Sequence, residues 1–139
     1  MNPVDKHEVA SELLESALYH YYQSNSYFSA LHCAGAAETI LGTYVTELGG
    51  KSSYEQDSAA LRKIGKGLFG EDCSDKELNL NSILNGPRNL VKHGIEDLTG
   101  SVQTSAKQML ERAIRNYNWL EARLDLCEIK NINLYEADQ

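Results

Sequence analysis

Residues 26–48 read SYFSALHCAGAAETILGTYVTEL, and this stretch decides the fold. Its apolar side chains recur at steps of three and four, which is the spacing of one helix face. The middle of the stretch, residues 30–37, is small and apolar on most sides, so neighbouring helices can approach it closely. Gly49-Gly50 follows, and glycine favours the position just after a helix end. We therefore predict a central helix that ends at this glycine pair.

The two ends of the chain predict one long helix each. Asp5 and Glu8 resemble a capping box and open a helix near residues 5–23. Near the other end, apolar residues at steps of three or four predict a last helix from about residue 101 to 126. The members of this seam are Val102, Ala106, Met109, Ala113, Tyr117, Leu120, Leu124 and Cys127. A seam of this width suits packing in a helical bundle.

The middle of the chain is less regular. Three glycines, at 65, 67 and 70, weaken helical structure over residues 51–74, and we predict a short helix between loops there. Ser74 and Glu77 form a capping-box pattern for a further helix. Pro87 falls inside that helix, which must kink there or stop and restart with the proline at its first position.

These segments together predict an all-α fold. No stretch alternates between apolar and polar residues as a strand does, and no internal repeat is evident. The predicted architecture is an up-and-down bundle of four main helices plus a short extra helix. A length of 139 residues predicts one domain, covering residues 1–139.

The net charge of −7 is unevenly distributed along the chain. Residues 1–60 hold eight acidic and two basic residues, whereas residues 61–92 hold six basic and four acidic ones. An acidic chain does not coat nucleic acid or an anionic membrane through bulk charge, because such binding needs a basic surface. A small anion site remains open, and we expect it within residues 61–92.

Targeting signals and cysteine patterns indicate a cytoplasmic protein. The N-terminal residues carry charges where a signal peptide has an apolar run, and no stretch approaches the roughly 20 apolar residues of a membrane span. The three cysteines lie far apart in the sequence, as reduced thiols commonly do. We expect no membrane association and no metal site held by cysteine.

The segment NGPRNLVKHG, residues 85–94, gathers the residue types of a phosphate site. If a helix restarts at Pro87, Arg88 and Asn89 lie in its first turn, where free backbone N–H groups favour an anion. Arg88 carries a planar fork of donors that suits phosphate, Lys92 adds positive charge, and His93 exchanges protons near neutral pH. Alternatively, these are ordinary solvated charges at a helix that ends before Gly94.

The same residues resemble a known family. Arg88-Asn89-Leu90-Val91-Lys92-His93 is similar to the R-x4-6-H motif of HEPN domains, including the polar residue after the arginine. The small-residue stretch over residues 26–42 is similar to the helix that precedes the motif in that family. HEPN proteins are helical bundles, often dimeric, and many are metal-independent ribonucleases of toxin–antitoxin and other defence systems.

The resemblance implies roles for four residues. His93 would act as general acid and base when the RNA 2′-hydroxyl attacks the adjacent phosphate, and Arg88 would stabilise charge on the phosphoryl oxygens. Asn89 and Lys92 would bind and orient the substrate. The reaction would need no cofactor and would leave a cyclic phosphate.

Spacing favours a dimeric site. Five residues along a helix turn Arg88 and His93 about 140° apart, so the two need not meet within one chain. A symmetric homodimer can bring both residues into one shared cleft. The resemblance also implies a protein partner of the antitoxin or nucleotidyltransferase type, although Ile95 stands where some members carry a tyrosine that such a partner modifies.

Glu38 is a further candidate, in a supporting position. It falls on the apolar stripe of the central helix, where an unpaired carboxylate is costly to bury. It would either pair with Arg88 or another base and hold the site in place, or lie on an exposed helix edge. The alternative function for the whole chain is a non-catalytic bundle that mediates dimerisation and binds a protein or a nucleotide.

Overall fold

The computed structural model describes residues 5–69, 84–85 and 101–139, and within them the chain forms helices and no strand. This confirms the predicted all-α bundle with four main helices and one short helix. The helices are α1 (Lys6–Tyr22), α2 (Tyr27–Glu47), α3 (Ser53–Phe69), α4 (Val102–Glu121) and α5 (Ile132–Ala137).

The central helix of the bundle is α2, as the sequence predicts. It packs against both α1 and α4. Leu31 and Leu41 are fully buried, and the small side chains of Ala34 and Ala37 are equally inaccessible to solvent. Small residues at these positions let the backbones of neighbouring helices come close, which is why this stretch occupies the middle.

The end of α2 also follows the prediction. Gly49 has a φ of +86°, a left-handed conformation that glycine adopts without steric cost. Its N–H donates to the Thr46 carbonyl, and the Gly50 N–H donates to the Val45 carbonyl. This pair of bonds is the Schellman arrangement, which satisfies carbonyls left open at a helix end.

The start of α1 differs in detail from the predicted capping box. Asp5 occupies the N-cap position, but its side chain makes no capping hydrogen bond. Its carboxylate instead lies 3.5 Å from the Nε2 of His7. The helix therefore begins where the sequence predicts, but the Asp5 side chain contacts His7 and does not cap the helix.

The third helix is longer than predicted. α3 has 17 residues and includes Gly65 and Gly67 within its length. Each glycine inside a helix makes helix formation about 1 kcal/mol less favourable than alanine does, and the prediction of a short helix rests on this effect. Contacts at the start of α3 offset this cost: Ser52 Oγ accepts a hydrogen bond from the Glu55 N–H at 3.2 Å, as an N-cap residue does.

The last long helix ends earlier than predicted, and a short one follows it. α4 ends at Glu121, and the Tyr117 hydroxyl donates to the Cys127 carbonyl at 2.7 Å beyond the helix. Burial raises the pKa of Tyr117 to about 12. Cys127, the last residue of the predicted seam, is exposed, whereas Ile129 is buried. Beyond Glu121 it is therefore Ile129, and not Cys127, that packs against the core.

The helix predicted from Ser74 and interrupted at Pro87 lies outside the described residues, apart from residues 84–85, which are helical. Within the described part of the chain, no helix is long and apolar enough to cross a membrane.

Candidate functional site

A buried ion pair joins two helices of the bundle. The carboxylate of Glu38 on α2 accepts a hydrogen bond from Arg112 Nη2 on α4 at 3.1 Å. Both side chains are 5% exposed. Glu38 is therefore a buried residue with a basic partner and not part of an exposed helix edge, and the described base that pairs with it is Arg112.

Arg112 also holds the chain that leads to the predicted motif. Its Nη1 donates to the Leu84 carbonyl at 2.8 Å, and its Nη2 donates to Asn85 Oδ1 at 3.2 Å. Asn85 stands three residues before Arg88 in the sequence. The Arg112 guanidinium thus links α4 and α2 to residues 84–85, which precede the motif in the sequence.

The motif itself lies outside the described residues. This applies to four of the predicted site residues, namely Arg88, Asn89, Lys92 and His93. The fifth, Glu38, lies in the described core and belongs to the same hydrogen-bond group as Asn85, through Arg112.

A second group of charged side chains lies next to the Arg112 guanidinium, between α3 and α4. Asp57 Oδ2 on α3 lies 4.0 Å from Arg112 Nε, which is too long for a direct hydrogen bond. Both oxygens of Asp57 accept from Arg115 Nη2 at 3.1 Å. Arg115 also donates to Glu111 on the same helix. The result is an alternating row of acidic and basic side chains between α3 and α4.

Asn116 extends the polar contacts to the start of α3. Its Oδ1 accepts from the Ser53 N–H at 2.8 Å, and its Nδ2 donates to the Glu38 backbone carbonyl at 3.2 Å. The side chain is buried, with 2% of its surface exposed. It fixes α3 against the pair of helices that carry Glu38 and Arg112.

The sequence carries a signal for Arg112 and Asn116 that is separate from the R-x4-H motif. Both stand among the apolar positions of α4, because Met109, Arg112, Asn116 and Leu120 recur at steps of three and four. A charge on such a stripe needs a partner. Glu38 occupies the corresponding stripe of α2, so two opposite charges on inner faces predict a buried pair.

This arrangement is suited to positioning and less to direct chemistry. The two terminal nitrogens of Arg112 bond to Glu38, Leu84 and Asn85, while its Nε has no hydrogen-bond partner in the part of the chain that the structure describes. Among residues 5–69, 84–85 and 101–139, no group of histidine, cysteine or acidic side chains is arranged to hold a metal ion.

Comparisons of the chain with protein-family models, with curated proteins and with solved structures found no match.

Proposed function

We propose that this protein is a HEPN-like ribonuclease or RNA-binding protein of a defence or toxin–antitoxin type system, acting in the cytoplasm as a homodimer. The R-x4-H sequence at Arg88 and His93 carries the proposal. The all-α bundle supports it, because the family that this motif resembles is helical. The buried Arg112, bonded to Leu84 and Asn85 just before the motif, supports it further.

The proposed reaction divides the work between two residues. His93 takes the proton of the RNA 2′-hydroxyl, whose oxygen attacks the adjacent phosphorus, and the bond to the 5′-oxygen breaks. The protonated His93 then gives a proton to the departing 5′-oxygen, so the products are a 2′,3′-cyclic phosphate and a 5′-hydroxyl end. Arg88 stabilises the negative charge that grows on the phosphoryl oxygens. Asn89 and Lys92 hold the substrate.

The homodimer follows from the angle between the two catalytic residues. If residues 88–93 form one helix, Arg88 and His93 lie about 140° apart around it, so the two need not meet within one chain. A second copy related by a two-fold axis supplies the missing residue to each cleft. Each complete site then takes its arginine from one protomer and its histidine from the other.

The test is cleavage of single-stranded RNA by purified protein in the presence of EDTA. We expect wild-type protein to release fragments with a cyclic phosphate end. His93→Ala should lower the rate by about 10²–10⁴-fold, the usual contribution of a general acid or base. Arg88→Ala should lower it by about 10²–10³-fold, the usual loss when a donor that stabilises transition-state charge is removed. The matched control is His32→Ala, which removes an exposed histidine from α2.

Four outcomes decide between the proposals. Activity that is equal in wild type and in both motif variants, or absent in all of them, would contradict the enzyme. RNA binding without cleavage would remove the ribonuclease and keep the RNA-binding protein, whereas a protein that neither cleaves nor binds RNA would favour the non-catalytic bundle. Mixing Arg88→Ala with His93→Ala should restore part of the activity, because one of the two shared sites in a mixed dimer is complete.

A further inference from the structure

A cavity of about 410 Å³ lies between α3 and α4, beside the buried ion pair. Its polar lining includes Arg112, Asp57 and Glu111, while Leu31, Leu61 and Met109 contribute apolar walls. Small-molecule sites typically measure ~300–1,000 Å³ and combine apolar walls with a few polar groups. The cavity therefore has the size and lining of a site for a small ligand.

The guanidinium of Arg112 leaves one donor unused at this cavity. Arg112 Nε is buried, and among the described residues it has no hydrogen-bond partner. Asp57 Oδ2, on the opposite helix, lies 4.0 Å away. A buried donor without an acceptor is unfavourable, so a ligand that accepts from Nε relieves this cost.

The charges of the cavity select against an anion or a cation. Arg112 is positive, and Asp57 and Glu111 are both negative, with Arg115 bonded to each of these carboxylates. A phosphate would face two carboxylates, and a metal ion would face a guanidinium. A neutral ligand with an acceptor next to an N–H donor matches both Arg112 and Asp57, and a planar ring suits the apolar walls.

We propose that this cavity binds a nucleobase, with the Arg112 Nε–H donating to a ring acceptor and Asp57 accepting from a ring N–H or amino group. The inference rests on the proposed function in taking RNA as the source of the base. Leu84 supports this link, because it lines the cavity and its carbonyl accepts from Arg112, four residues before Arg88.

The test uses free nucleosides, so that it does not depend on catalysis. ¹⁵N-labelled protein is titrated with adenosine, cytidine, guanosine and uridine while the Arg112 Nε–Hε resonance is followed by NMR. At least one nucleoside should shift this resonance at millimolar concentration, and ribose 5-phosphate, which has no base, should not. A shift by ribose 5-phosphate alone, or by none of the five compounds, would overturn the proposal.

A pair of variants locates the binding. Ala60 lines the cavity and is exposed, whereas its neighbour Ala59 is exposed and does not line it. We expect Ala60→Phe to fill the opening and weaken nucleoside binding by about tenfold or more, the loss of roughly one or two well-placed contacts. Ala59→Phe should bind as wild type does. Equal binding by both variants would contradict the assignment.

The two proposals can fail separately. Nucleoside binding in the cavity by a protein that does not cleave RNA would remove the ribonuclease and leave the base site standing. RNA cleavage that depends on His93, by a protein in which no nucleoside reaches Arg112, would leave the enzyme standing and remove the base site.

Discussion

At the scale of single residues, Arg112 connects three parts of the chain. Its planar fork bonds at once to Glu38 on α2, to the Leu84 carbonyl and to Asn85. Lysine has a point charge on a flexible stem and does not reproduce this geometry. The function of Arg112 in the proposed enzyme is therefore to position the chain before Arg88, and not to contact the reacting atoms.

Removing one partner of the buried pair should destabilise the fold strongly. Glu38→Ala leaves the guanidinium of Arg112 buried without its carboxylate, and such changes cost about 3–5 kcal/mol. We expect a loss of that size in the free energy of unfolding, measured by urea denaturation.

The matched control for this change is Arg115→Ala. Arg115 is 35% exposed, and its ion pairs face solvent more than the Glu38 pair does. Exposed pairs contribute about 0–1 kcal/mol. If Glu38→Ala and Arg115→Ala lowered the free energy of unfolding equally, burial would not make the Glu38–Arg112 pair stronger than the more exposed pairs of Arg115.

At the scale of helices, local sequence and tertiary contacts compete in α3. Its two interior glycines disfavour a helix, yet the helix runs through both. Capping by Ser52 and the bond from the Ser53 N–H to Asn116 hold its first turn. The later part carries exposed apolar side chains, Ile64 and Leu68, so it gains little from packing among the described residues.

Two glycine variants should shift stability in opposite directions. A Cβ at Gly50 would lie 2.5 Å from the Cζ2 of Trp119, and the Arg123 guanidinium lies 3.6 Å from the centroid of that ring. We expect Gly50→Ala to lower the free energy of unfolding by about 1–3 kcal/mol through overpacking. A Cβ at Gly67 meets no atom within 4 Å.

Gly67→Ala should raise stability by about 0.5–1 kcal/mol, because alanine loses less backbone entropy in a helix. Both variants are measured by urea unfolding with the slope held common. The contact with Trp119 would be disproved if Gly50→Ala were as stable as wild type.

At the scale of the whole molecule, the C-terminal residues are tied back to the bundle. Asp138 follows α5, and its carboxylate accepts from Lys107 Nζ on α4 at 2.9 Å and from the Tyr22 hydroxyl on α1 at 3.0 Å. The hydrogen bond from Lys107, with that from Tyr22, holds the pKa of Asp138 below its usual value. Burial and the neighbouring carboxylate raise the pKa of Tyr22.

This contact should weaken in acid. A carboxyl group with a lowered pKa stabilises the folded state above its unfolded pKa of about 3.9, and the contribution is lost as the pH falls through the lower folded value. Between pH 6 and pH 2 we expect the amide resonances of residues 132–139 to move toward those of Asp138→Asn. Glu136→Gln, which neutralises an exposed carboxylate within α5, is the control. Identical spectra for Asp138→Asn and wild type at neutral pH would refute the tie.

The sequence by itself determines the helices, because a helix is built from bonds between residues four apart and from the spacing of apolar side chains. It places the central helix and its end at Gly49, it sets Glu38 on the apolar stripe of that helix, and it supplies the R-x4-H motif on which the proposed function depends. Tertiary structure alone decides which base pairs with Glu38, since Arg112 is 74 residues away and only packing of α2 on α4 joins them. It likewise decides the early end of α4, because the bond from the Tyr117 hydroxyl to the Cys127 carbonyl and the burial of Ile129 take the chain off the helix that the apolar seam predicts.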